Sequence, residues 1–260
     1  MLHEATLCLR QLTVLRGCVD IYPCANPLAA HHGTRRWPFF DADLNRLFPG
    51  RPDGHPPDRV AFHLVENLQG VDLVVELRGA NQAFREVVQA HVRAGATRET
   101  ELAMHTNVEV VWERTPGPSA SAEFATQFGT SIALEGGTGS RLTSGVGKEL
   151  SDGVMRLLLA LDMVDAVEVG ALGPQRNPRR VTDAEVHRIG VEHGGIFLPA
   201  LDLGQAVRAG DILGRVVDPM ISMDLEVIRS PVAGRVMAVR EQPVVHPGSM
   251  VVRVVQMGEA

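Results

Sequence analysis

Two regimes of hydrophobic patterning divide the chain. Up to about residue 163, apolar strand-like runs alternate with stretches of helical periodicity. Apolar positions Leu2, Leu7, Leu9, Leu12 and Leu15 predict a short helix over 2–15. Cys18-Val19-Asp20-Ile21-Tyr22-Pro23 alternates and closes on a proline, which predicts a strand. Residues 56–69 form an amphipathic pattern (Val60, Phe62, Leu64, Val65, Leu68) with a proline near the first helical position and Gly70 as its stop, so a helix is expected there. Val71–Leu77 is an almost continuous apolar run, as in a strand buried on both faces of a mixed sheet. A strand at Val108–Trp112, a helix at Ser119–Phe128 and a strand at Ser131–Glu135 repeat the alternation. Glycine-rich Gly136–Ser140 follows, then a helix from about Val146 to Met163. This is the pattern of an α/β domain with a largely buried sheet.

The second regime begins after Gly173-Pro174-Gln175-Arg176-Asn177-Pro178, a linker by composition. From Val181 short β-rich runs are punctuated by Gly190, Gly194, Gly195, Gly204, Gly210, Gly214, Gly234 and Gly248, which predicts an all-β module. The expected division is 1–172 for the α/β domain and 180–260 for the β-module. Ser222-Met223-Asp224-Leu225-Glu226-Val227, followed by Ser230-Pro231-Val232-Ala233-Gly234, resembles a biotinyl/lipoyl-type barrel-sandwich hybrid. Carrier domains of that type present Met-Lys at the hairpin tip, where this chain has Met223-Asp224. Lys148 is the sole lysine, so covalent biotin or lipoate at that tip is excluded.

Composition narrows the partners. With 260 residues, 45% hydrophobic and 22% charged, the chain has enough apolar sequence for a sizeable core. A net charge of −6 and a pI of about 5.9 give no basic footprint for nucleic acid. No apolar run approaches the ~20 residues of a membrane span, and MLHEATLCLRQL lacks a signal-peptide layout. Cys8, Cys18 and Cys24 follow no metal or disulfide spacing, which suits free thiols in a cytoplasmic setting.

The densest chemistry lies in Gly33-Thr34-Arg35-Arg36 and Asp43-Leu44-Asn45-Arg46-Leu47-Phe48-Pro49-Gly50. Guanidinium forks bind carboxylates bidentately, and an adjacent asparagine can orient a carbonyl. The order Asp-Leu-Asn-Arg-x-Phe-Pro-Gly resembles the signature of the succinylglutamate desuccinylase/aspartoacylase family, relatives of the zinc carboxypeptidases. The segment GGIFLP, LGQAVRAGDILGRV and SPVAGRV in the β-module also resembles the end of that family's chains, so the likeness spans nearly the whole sequence.

The resemblance implies a carboxypeptidase-like mixed sheet flanked by helices and an amide hydrolase acting on N-acyl amino acids. It assigns Glu135, in Ala133-Leu134-Glu135-Gly136-Gly137, as general base and acid, and Asn45 and Arg46, with Arg35 or Arg36, as the substrate clamp. It also implies one zinc held by two His and one Glu, from an H-G-x-E turn and a D-L-H turn. Here the chain departs. Glu76-Leu77-Arg78-Gly79 stands where D-L-H belongs, and a guanidinium does not ligate zinc. Met1-Leu2-His3-Glu4 stands near H-G-x-E: with Glu4 as ligand the His position falls on Met1, and with His3 as ligand Thr6 replaces the Glu. Either the start is assigned late or a central strand is missing. The expectation is therefore a hydrolase-family protein with an incomplete zinc site, or else a non-catalytic relative that binds a small acidic ligand or serves as a partner subunit. Arg78 would add positive charge to the carboxylate clamp; homo-oligomerisation is left open.

Overall fold

The structure is a computed structural model that describes residues 2–12, 15–117, 121, 123–141 and 143–257, with the backbone alone at residues 2–5, 144 and 168. In chain order it runs α1 (Leu2–Gln11), α2 (Pro27–His31), β1 (Arg36–Trp37), β2 (Ala42–Asp43), α3 (Pro56–Asn67), β3 (Val74–Gly79), β4 (Phe84–Arg93), α4 (Thr97–Met104), β5 (Val110–Arg114), β6 (Ser131–Thr138), α5 (Ser144–Ala160) and α6 (Ala166–Val169). Strands follow to the end: β7 (Arg179–Thr182), β8 (Val186–Gly190), β9 (Gly195–Pro199), β10 (Ala206–Val207), β11 (Ile212–Val217), β12 (Asp224–Arg229), β13 (Gly234–Arg240), β14 (Val244–Val245) and β15 (Met250–Gln256). It is a mixed α/β fold.

Strand β4 is the spine. β6 pairs antiparallel along one side of it, from Arg85↔Thr138 to His91↔Ala133. On the other side its first residues pair antiparallel with β13 (Glu86↔Ala238) and its later ones parallel with β5 (His91↔Trp112). β3 lies parallel to β6, with Arg78 opposite Glu135, and β7 lies parallel to β5. β15 and β8 extend the sheet beyond β13. The two composition regimes therefore share one nine-stranded sheet.

Period-two alternation sorts the first half of that sheet into two unlike faces. Val88, Ala90 and Val92 of β4, Val111 of β5 and Ile132 and Leu134 of β6 pack with Ala103 of α4 and Leu150 and Leu157 of α5. Full burial of such a side chain stabilises by about 1.5–3 kcal/mol, so this face anchors the helices. The intervening residues point the other way: Glu76 and Arg78, Gln89 and His91, Trp112 and Arg114, Ala133 and Glu135. That second face is the polar one. In the C-terminal half, β9, β11, β12 and β14 form a separate four-stranded sheet. It packs on β8, β13 and β15 through Phe197, Leu213, Val216, Ile228, Val236 and Val252.

Several expectations are corrected. Residues 18–23 are not a strand. Val19 and Ile21 are half-buried, as the alternation requires, but among the described residues the segment has no ladder partner. A cavity of about 770 Å³ lies between residues 17–22 and β3. The helix expected over 119–128 is, among the described residues, a 3-10 turn at Phe124–Gln127. Phe124 and the Phe128 that follows the turn meet edge to face with centroids 5.0 Å apart. The apolar run at 71–77 becomes β3, which starts three residues and ends two residues later, and β3 is half-buried at the sheet's edge because, among the described residues, only β6 pairs with it. Strand β4 and helix α4 were not anticipated. His3 and Glu4, the two metal candidates, lie on α1 with side chains outside the described residues.

Candidate functional site

The Asp43–Gly50 signature is a tightly held turn. Asp43 caps the 3-10 turn Leu44–Arg46: its Oδ1 accepts from the Asn45 backbone N–H (3.1 Å) and its Oδ2 from Arg35 Nε (2.9 Å). Gly50 has φ +81°, and a Cβ there would fall 2.2 Å from Phe62 N, so only glycine lets this loop close on α3. Leu44 and Phe48 are buried with Ala61 and Val65 of α3, Val74 and Phe128. The polar residues of the motif are thereby turned towards residues 123 and 124. Asn45 Oδ1 accepts from Phe124 N–H (2.9 Å), and Arg46 Nη1 donates to Glu123 Oε1 (3.0 Å).

Glu135 sits at the centre. It is opposite Arg78 on β3 and Gln89 on β4. Burial pushes its carboxyl up to about 7, and the charge of Glu86 pushes the same way against Arg78, Arg253 and Arg114. Arg78 donates to Glu76 within its own strand. Burial works against its charge, but the Glu76 hydrogen bond and the charges of Glu76, Glu135 and Glu123 outweigh that and raise its pKa. Glu123 is the joint: it binds Arg46 directly and its charge reaches both Arg78 and Arg114. Asn45, Arg46, Arg78 and Glu135 thus share one neighbourhood around Glu123. Arg35 is attached to it through Asp43. Arg36 turns away, its Nη1 held by Asp41 Oδ2 and the Asp41 carbonyl.

Further groups on the same face escaped the reading of the sequence. Arg253 of β15 reaches across from the C-terminal half to bind Glu86 Oε2 (2.9 Å), a pair with 11% and 3% of the side chains exposed. Gln89, fully buried, donates to the same carboxylate. His91 takes Arg114 Nη1 at its Nδ1 (3.2 Å). Burial, then the charges of Arg114, Arg78 and Arg253, hold its pKa well below the ordinary value, so the ring is neutral. The available signal was a lone polar residue inside an apolar run, as in Val251-Val252-Arg253-Val254-Val255.

The pattern of the succinylglutamate desuccinylase/aspartoacylase catalytic domain matches residues 9–161. The chain belongs to this family. Solved structures agree in fold. The chain superposes with a TM-score of 0.80 on the product-bound ectoine utilization protein EutE (DoeB) from Ruegeria pomeroyi, at 22% identity, covering 98% of this chain and 81% of that one. A succinylglutamate desuccinylase/aspartoacylase from Rhodobacter sphaeroides gives 0.83 at 19% identity, covering 100% and 82%. An aspartoacylase family protein from Mesorhizobium loti gives 0.76 at 23%, covering 98% and 81%. No curated protein sequence matches the chain.

The family is generally zinc-dependent, and the donor set here can be tested against that. Arg78 occupies the strand end that the motif comparison assigns to the second His, and its guanidinium is already engaged by Glu76. Among the described residues no group of three or more His, Cys, Asp or Glu side chains could hold a metal ion. These residues do not fit a zinc site with three protein ligands. Nor, among the described residues, is any helix long and apolar enough to cross a membrane.

Proposed function

We propose that this member of a deacylase family binds a small carboxylate-bearing molecule of the N-acyl-amino-acid type on the polar face between Arg46, Arg78 and Glu135. The observation that carries the reading is Arg78, a charged guanidinium opposite Glu135 where a zinc ligand would be needed. It supplies the positive charge that would otherwise come from a metal, and binds an anion by direct charge-assisted hydrogen bonds. Asn45 orients the ligand's carbonyl, and Arg46, with Arg35 behind it, closes the clamp. In this reading the C-terminal strands are a barrel-sandwich-like module without carrier function. The partner is the small acid itself, with neither nucleic acid nor membrane involved.

Calorimetry with N-acetyl- and N-succinyl-amino acids tests this. Arg78→His removes a charged fork and should weaken binding at least tenfold, since hydrogen bonds to charged groups contribute about 1.5–3 kcal/mol and a factor of ten corresponds to about 1.4 kcal/mol. Equal affinity of the two proteins would place Arg78 outside the site and end the proposal.

A second reading, amide hydrolysis, is favoured by Glu135. A carboxyl poised near 7 suits a base that takes a proton from an attacking water and returns it to the leaving nitrogen. Amine release that rises through pH 7 and is lost in Glu135→Gln would establish turnover. Binding without amine release would establish the non-catalytic reading.

A further inference from the structure

Beside Glu135, on the same polar face, three guanidinium groups converge on one buried ring. The Cζ atoms of Arg114, Arg188 and Arg253 lie 5.1, 5.4 and 5.1 Å from the centroid of Trp112. The ring is 1% exposed and fixed by its Nε1–H donating to Asp183 Oδ1 (3.0 Å). The arginines come from β5, β8 and β15, with Arg188 directly opposite Arg253 in the β8–β15 ladder. Sequence positions at least 65 apart are thus brought together to place like charges side by side, which costs free energy unless an anion answers them.

Several nearby carboxylates already have direct partners. Glu86 answers Arg253, and Glu113 answers Arg180. Asp183 spends one oxygen on Trp112 and the other on the Thr115 N–H (2.8 Å). Among the described residues, neither Arg114 nor Arg188 has a carboxylate within ion-pair distance, although the charges of Glu135 and Glu123 reach Arg114 and that of Asp183 reaches Arg188. Arg114 also contacts His91, which is neutral and offers no countercharge. A guanidinium seated over an aromatic face keeps its in-plane N–H fork free for a second partner.

We propose that Arg114 and Arg188, held over Trp112, form an oxyanion site separate from the Arg46–Arg78 clamp and built jointly by the two halves of the chain. The ligand class is a carboxylate or phosphate group, taken by paired forks in a partly desolvated setting. Since it uses neither Arg46 nor Asn45, it stands or falls independently of the proposed acyl-amino-acid site.

Trp112 is its own reporter, because Trp37 is the only other tryptophan. In the full chain carrying Trp37→Phe, emission is followed while inorganic phosphate or acetate is titrated in at constant ionic strength set by chloride. Calorimetry of the unmodified chain with the same probes guards against a folding defect in that variant. Saturable binding of at least one probe is expected, and comparison of the two shows which oxyanion the site prefers. Arg188→Ala, an exposed position, should weaken that binding at least tenfold, and Arg46→Ala should change it less than twofold. Absence of saturable binding for both probes, an unchanged affinity in Arg188→Ala, or a loss confined to Arg46→Ala would each overturn the proposal.

Discussion

Replacing Glu135 by glutamine keeps the side chain's shape and hydrogen-bonding reach while removing its charge. Burial is the largest contribution to its raised pKa and Glu86 the next, so the folded protein resists ionising a group that ionises freely once unfolded. A carboxyl raised from its ordinary value of 4.5 to about 7 is neutral in both states at low pH and costs nothing there. As pH climbs above 4.5 the unfolded chain loses the proton first, and stability falls until the folded group also ionises near 7. By proton linkage the cost is roughly 1 kcal/mol at pH 5, about 2 at pH 6 and about 3 at and above pH 7. Glu135→Gln carries no such cost. Urea unfolding of both proteins from pH 5 to pH 8.5 should give a stability difference that grows with pH in favour of the variant and levels off above pH 7. A difference that is flat with pH, or that favours the wild type more at high pH, would show that Glu135 is a well-solvated or well-paired carboxylate, and the account of the polar face would fail.

Two other substitutions probe the frame around the site. Arg253→Met leaves Glu86, 3% exposed, without its cation; the loss should be about 3–5 kcal/mol, read as a fall in thermal midpoint, and a loss below 1 kcal/mol would refute the pairing. Gly139→Ala would place a Cβ 2.1 Å from the Ala80 carbonyl oxygen, so it should cost about 1–3 kcal/mol, whereas Gly129→Ala, whose added Cβ meets nothing within 4 Å, should be far milder; equal costs would contradict the close approach.

Hydropathy found the strands whose outward residues were few. Val108–Trp112 and Ser131–Glu135 were legible because their apolar positions dominate. Strand β4 was not: Glu86, Gln89 and His91 interrupt it, and they are buried polar residues committed to the site face. Asn45 and Arg46, the proposed clamp, were visible because their order along the chain is specific. Glu123 and Arg188 were invisible because nothing local marks them; their meaning comes from partners such as Arg46 and Trp112, more than seventy positions away. The placing of Arg35 and Arg36 also needed space, since Asp43 holds the first and Asp41 the second.

The pairing of β4 with β13 has a consequence for how this protein is made. On the ribosome, residues 84–86 emerge roughly 150 positions ahead of the strand that will cover them, and domains fold as synthesis proceeds. Through that interval an edge of the nascent sheet stands open to neighbouring chains. Arg85 and Glu86 lie on that edge, and charged side chains are what keeps a waiting edge from pairing with the wrong partner. Arg253, which emerges later still, pairs with Glu86 across that seam, so a strand of the C-terminal half closes a sheet that β3 and β4 began.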